Sequence, residues 1–354
     1  MRKLATIRKI DNLLPIEGAD LIMAAVIDGW TVVVKKSEFE VGELCVYCEI
    51  DSFLPDGNPA WQHLVEKHPR MFEGQRGHRL KTVRLRGQVS QGFLAPLSVL
   101  GPPENIFTIG EGCIGADVSE QLGIKKFELP VPAELAGQVG GNFPGFIPKT
   151  DQERCQNIGN DIFVANAESK YEVTMKMDGS SFTGFAMEGA PGVCGRNWEL
   201  KINDDNASNS LVRMYVDSGL QAALLAFGKN LAVQGELMGH GIQGNREELK
   251  AHKLFVFDMY DIDAKAYLTP EERHATLTEL WNLGLSRDMV EHSPVLYMGV
   301  TMGELGITSV QGLLKFAEGA SYHHPVREGL VFKRVDGGFS FKAISNSYLL
   351  KEKD

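Results

Sequence analysis

The chain has 354 residues, enough to bury more than one core, and its 43% hydrophobic and 23% charged composition excludes a disordered protein. No apolar run reaches membrane-spanning length and the N-terminus lacks a signal-peptide core, so neither a membrane partner nor secretion is expected. A formal net charge of −10 excludes a wholesale basic coat, but a local basic stripe on an acidic protein can still follow a phosphate backbone. The five cysteines include one close pair, Cys45 and Cys48, while Cys113, Cys155 and Cys194 stand apart. No second pair completes a zinc site, which points to reduced structural thiols and a cytoplasmic location.

Residues 1–128 read as all-β. Short apolar runs at 4–7, 21–26, 30–34 and 43–50 are punctuated by turn pairs such as Asp28-Gly29 and Asp56-Gly57. A small barrel fits, similar to the OB-type domains of tRNA-binding modules. It carries the clearest basic stretch of the chain, 76–87. In a strand starting at Arg79, the residues Arg79, Lys81, Arg84 and Arg86 do not all share one face, because the period slips between Lys81 and Arg84. Their expected role is to line a groove that tracks a nucleic-acid backbone. The alternative is a solvated edge strand that charge protects from aggregation.

Residues 129–148 are rich in Pro and Gly and suit a linker. A second domain is expected over 149–354. At 171–181 the sequence Tyr-Glu-Val-Thr-Met-Lys-Met-Asp-Gly-Ser-Ser alternates, so a strand places Lys176 and Asp178 on one face before Gly179 turns the backbone. A lysine is a poor nucleophile near neutral pH because its ordinary pKa is about 10.4. Desolvation, or a cation beside it, would favour the neutral amine. Further strands are expected at 182–187 and 192–196, the latter ending on Arg196, whose planar fork suits phosphate. A helical pattern over 208–227 serves packing. The strand at 233–237 carries Glu236, a buried carboxylate that needs a cation or hydrogen-bond donors. In the apolar strand 254–259, either Phe255 or Phe257 could stack on a base. Thr269, Pro270 and Glu272 open a helix with a capping box that continues to Leu285. The neighbours His323 and His324 would face opposite ways on a strand and are expected to be structural or RNA-facing.

The lysine motif is followed by Cys-Gly-Arg-Asn at 194–197, Val-Gln-Gly-Glu-Leu-Met at 233–238, Leu-Phe-Val-Phe-Asp-Met-Tyr at 254–260, Glu-Gly-Leu-Val-Phe-Lys at 328–333 and Phe-Ser-Phe-Lys-Ala-Ile at 339–344. In that order they resemble the covalent nucleotidyltransferase superfamily, and specifically the ATP-dependent RNA ligases with an OB-type domain ahead of the transferase. The run Lys-Thr-Asp-Gln-Glu-Arg-Cys-Gln-Asn at 149–157 is similar to a signature preceding the lysine motif in RNA ligases. The resemblance implies an α+β fold: an OB-like β-barrel, then a transferase domain of antiparallel sheets with flanking helices. It implies Lys176 as the residue that accepts AMP from ATP. Arg154, Arg196, Glu236, Phe257 and Lys342, together with Lys333, would contact the nucleotide, Phe257 by stacking on adenine. Asp178, Glu236 and Glu328 would hold a hydrated Mg²⁺ or Mn²⁺. Related ligases often carry Lys-x-Lys at the last motif, whereas Ser340 stands at the first position here. A monomeric enzyme is expected, acting on RNA or an RNA-containing nicked duplex. The rival expectations are a capping-type guanylyltransferase and a nucleic-acid-binding protein with an inert transferase site.

Overall fold

The structure is a computed structural model that describes residues 3–101, 109–127 and 137–351. The chain divides into two compact units: residues 1–131 with 156–159 and 349–354, and residues 132–155 with 160–348.

The first unit is built of short β-strands. Ala5–Lys9 and Phe93–Pro96 flank Leu44–Cys48 in an antiparallel sheet, and Asn12–Ile16, Ala19–Ile27 and Trp30–Lys35 form a meander. Trp30 and Trp61 are fully buried, and each finds an acceptor for its indole N–H: the Asn157 side chain at 2.6 Å and the Pro55 carbonyl at 2.7 Å. Cys45 and Cys48 are also fully buried, and burial pushes both thiols up to about 12, so they are structural.

The basic stretch is not one strand. Gln75–Arg79 belongs to a four-stranded sheet, whereas Thr82–Leu85 forms a separate hairpin with Gln88–Gln91. The slip expected between Lys81 and Arg84 is therefore a break between two sheets. Arg79 is half-buried, pairs with Asp51 at 3.0 Å and lies 5.2 Å from the Phe127 ring centroid. Arg84 and Arg86 are exposed on the hairpin, and Arg86 occupies its turn with a φ of 49°.

Two sheets make up the second unit. The larger, eight-stranded sheet runs Val139–Asn142, Trp198–Leu200, Ala190–Cys194, Ser180–Met187, Leu231–Met238, Lys253–Asp261 and Ala266–Tyr267, with Val290–His292 also on Lys253–Asp261. The smaller runs Glu153–Arg154, Ser340–Ile344, Gly329–Arg334, Tyr171–Lys176 and Val295–Val300. Most pairings are antiparallel, as expected, but Glu153–Arg154 and Val290–His292 join parallel. Part of the stretch read as linker is sheet: Val139–Asn142 pairs with Trp198–Leu200, while residues 129–136 lie outside the described residues.

One helix expected over 208–227 is two, Ser210–Asp217 and Leu220–Phe227. Gly219 separates them at a φ of 80°, where an added Cβ would lie 2.8 Å from the Gly284 carbonyl oxygen. Their apolar faces pack with Phe182, Val233, Leu254 and Leu277 on one side of the larger sheet. The helix Pro270–Asn282 has the expected capping box and ends three residues short of Leu285.

Candidate active site

Alternation decides which residues face the cleft between the two sheets. On Tyr171–Lys176, Tyr171 and Val173 enter the core, so Glu172, Thr174 and Lys176 take the other face. Register carries that face across the smaller sheet. Lys176 lies opposite Gly329, and Thr174 opposite Val331, which in turn lies opposite Lys342; Lys342 then lies beside Arg154. Lys176, Lys342 and Arg154 thus share one surface. On the larger sheet, Leu231, Val233 and Leu237 pack into the helices, which leaves Gln234 and Glu236 to face the cleft.

The two faces meet at Lys176. Its ammonium binds both oxygens of Glu328, at 2.8 and 2.9 Å. Glu236 accepts from the Gly179 N–H at 3.0 Å, a contact that glycine makes possible: a Cβ at 179 would lie 2.4 Å from the Leu237 carbonyl oxygen. Asp178 pairs with Arg246 at 3.4 Å. Burial by itself would favour a neutral Lys176, but the charges of Glu328, Glu236 and Asp178 outweigh it and raise the amine above its ordinary pKa. Of the two routes to a neutral amine, desolvation is thus outweighed by three carboxylates, which leaves a neighbouring cation. Burial, opposed by Lys176 and reinforced by Glu328, lifts Glu236 to about 7.

Among the described residues, no three His, Cys, Asp or Glu side chains form a direct metal-ligand set. Asp178, Glu236 and Glu328 surround one ammonium without converging on a common point. Such an arrangement fits a hydrated cation contacted through its waters, the manner in which Mg²⁺ is commonly held.

The remaining expected residues separate by environment. Phe255 is fully buried against Met177 and Met238, whereas Phe257 is only partly buried and has the Lys333 ammonium 5.7 Å from its ring centroid. Of the two, Phe257 therefore has a face to offer a base. The Lys333 ammonium is engaged by the Asp258 carboxylate and the Phe257 carbonyl. Lys342 pairs with Asp151 at 2.8 Å. Arg154 is buried on the strand Glu153–Arg154. Arg196 lies in the turn after Ala190–Cys194. The backbone amides of His323 and His324 both donate to Glu247, at 2.5 and 3.0 Å, so this pair ties down a loop.

Two residues that the sequence did not single out join the site. Arg246 touches Asp178, lies 4.7 Å from the Tyr348 ring centroid and donates to the Val326 carbonyl at 3.2 Å. Asp151 meets Lys342 across 191 residues of chain. A Gly-Asn-Arg turn just after the Glu236 strand was the only sequence signal for Arg246.

A lysine ringed by carboxylates, with a second lysine and an arginine on the same surface and an aromatic ring nearby, is a cleft for nucleotidyl transfer. Family profiles match an OB-fold domain over residues 4–97 and RNA ligase over residues 169–344. No curated protein matches the chain. Among solved structures, several forms of Naegleria gruberi RNA ligase are similar. A mutant with ATP and Mn is 45% identical, with full coverage of both chains and a TM-score of 0.88. A mutant apo form is 45% identical over 98% of this chain and 97% of that one, with a TM-score of 0.87. A form with PPi is 44% identical over 99% and 98%, with a TM-score of 0.86. The chain belongs to the RNA ligase family, with an N-terminal OB-fold domain followed by the ligase domain.

Proposed function

We propose that this protein seals breaks in RNA-containing duplexes that present an RNA 3′-hydroxyl, acting as an ATP-dependent RNA ligase. One observation supports the reading above all: Glu328, Glu236 and Asp178 surround the Lys176 ammonium while Lys342 and Arg154 extend the same surface. In the first step the Lys176 amine attacks the α-phosphate of ATP and pyrophosphate leaves, giving a lysine–AMP phosphoamide. AMP then passes to a 5′-phosphate, and a 3′-hydroxyl displaces it as the new phosphodiester forms. Little covalent work remains beyond the lysine, so positioning and charge neutralisation carry the catalysis.

Mg²⁺ or Mn²⁺, contacted through water by Asp178, Glu236 and Glu328, would neutralise the charge of the transferring phosphate. A cation held there would compete for the carboxylates that keep Lys176 protonated and would favour its neutral form. Lys342 and Arg154 bind phosphate oxygens, Phe257 stacks on adenine, and Arg196 reaches the phosphates from its turn. The same reading carries Mn²⁺ and ATP over from the Naegleria gruberi enzyme, whose structures hold them. The free cysteines support a cytoplasmic location, where the protein acts as a monomer. Among the described residues, no helix is long and apolar enough to cross a membrane.

The test is labelling of the purified protein with α-labelled ATP or GTP. Label is expected from ATP with Mg²⁺ or Mn²⁺, and chelation should abolish it. Label from GTP alone would favour a capping-type enzyme, and none from either nucleotide an inert site. Separately, Arg84→Ala with Arg86→Ala is expected to spare lysine adenylation and weaken sealing. The log–log salt dependence of RNA binding should flatten by about 0.7 for each lost single-strand phosphate contact. An unchanged slope would remove this hairpin from the RNA surface.

A further inference from the structure

Lys342 carries the only lysine charge of the last motif, since Ser340 occupies the position where related ligases often place another. Its surroundings work against that charge. The ammonium is largely buried, and Arg154 on the adjoining strand and Lys176 one strand further across the sheet add like charge. Lys333 lies two residues along the neighbouring strand on the same face, but its own charge is spent on Asp258. Glu328, ahead of that strand, is bound to Lys176. The hydrogen-bonded acid at Lys342 is Asp151, 2.8 Å away and two-thirds buried.

Asp151 belongs to a short segment fastened to both sheets. The Gln234 side chain donates to the Pro148 carbonyl at 3.0 Å, and Lys149 reaches the Asn197 side chain at 2.9 Å, both on the larger-sheet side. Gln152 donates to Asp258 on that same side at 3.4 Å. On the smaller sheet, Glu153–Arg154 adds as a parallel strand beside Ser340–Ile344. Held at both ends, the segment fixes where the Asp151 carboxylate sits.

We propose that Asp151 is a positioning residue, which keeps Lys342 as an aimed ammonium so that one lysine can neutralise the phosphate that two share in related ligases. The proposal rests on the nucleotide-binding reading of this surface. Burial brings Lys342 down to about 8, with Asp151 resisting the fall. Its charged fraction therefore drops as pH rises through that value. Without the Asp151 carboxylate the fall begins at lower pH, and the amine is mostly neutral where the wild-type lysine is still mostly charged.

The experiment compares single-turnover lysine adenylation by wild type and Asp151→Asn from pH 6.5 to 8.5, with ATP and Mn²⁺. We expect the variant to be within about threefold of wild type at the acid end and slower by close to tenfold at the alkaline end, one pKa unit being a tenfold change in the protonation ratio. Asp151→Glu should recover most of the alkaline activity. In a Lys342→Arg background, where the charge at 342 cannot titrate, Asp151→Asn should give a ratio that does not change with pH. A pH-independent ratio in the lysine background would overturn the proposal, because a merely structural loss scales activity equally at every pH. Failure of wild type itself to form the adduct would instead count against the nucleotide-binding reading.

Discussion

Replacing Lys176 by alanine should abolish covalent labelling by ATP while leaving RNA binding intact. The reason is position: Lys176 is the lysine bonded to Glu328 and surrounded by the carboxylates that would hold the metal, and the other two cleft lysines have partners elsewhere. Lys342 is bound by Asp151, and Lys333 is taken up by Asp258 and the Phe257 carbonyl. Alanine also removes the counter-charge of Glu328 and Glu236, so a loss of activity alone could reflect a disturbed site. Lys176→Arg resolves this. An arginine keeps the pairing with Glu328 but stays protonated at any working pH, so it cannot attack phosphorus. It should retain the thermal stability of wild type and still form no adduct. Label on the arginine variant would overturn the assignment of the nucleophile.

Arg273→Ala should destabilise the ligase domain severely, far more than the loss of any exposed ion pair. Arg273 is 2% exposed and donates at 2.5 Å to the fully buried Glu172; His274 approaches the same carboxylate at 2.9 Å. Burial by itself would raise the pKa of Glu172, but His274 and Arg273 reverse the effect and hold it at about 2. Removing the guanidinium leaves a buried carboxylate with half its support, which costs about 3–5 kcal/mol. Replacing both partners, Arg273→Met with Glu172→Leu, should recover most of that loss, because apolar groups of similar volume need no counter-charge. The pH dependence has a definite sign. A carboxylate with a depressed folded pKa stabilises the fold above its ordinary value near 4.5, and that contribution is lost as pH falls toward about 2. Denaturant titrations from pH 7 down to 3 should therefore show a smaller acid-induced loss in the double variant than in wild type. Equal losses in both proteins would show that the pair does not govern acid stability.

What can be read from such a chain depends on which contacts are local. The face of Lys176 follows from strand alternation, although the strand ends at Lys176 and Asp178 lies beyond it, and the capping box at Thr269 and Glu272 spans three residues; both local patterns were legible. The order of the motifs also located Glu236, Glu328 and Lys342. Contacts that need tertiary packing were not legible. Arg273 and His274 sit in a helix whose sequence shows no obvious chemistry, yet they meet Glu172 across 101 and 102 residues of chain. Asp151 and Arg246 are likewise defined by distant partners. Lys333 sits in a phosphate-binding motif, and only the structure shows its charge spent on Asp258. The basic stretch misled for a different reason: its composition is continuous, but the chain changes sheets between Arg79 and Thr82. The single helix expected over 208–227 failed at Gly219, one left-handed position within an apolar pattern.

The most direct measurement is peptide mapping by mass spectrometry after incubation of the intact protein with ATP and Mn²⁺. The account predicts an AMP phosphoamide on the peptide containing Lys176, formed with release of pyrophosphate and discharged when nicked duplex with an RNA 3′-hydroxyl is added. An adduct on any other side chain, or ligation that proceeds with no adduct at all, would contradict it.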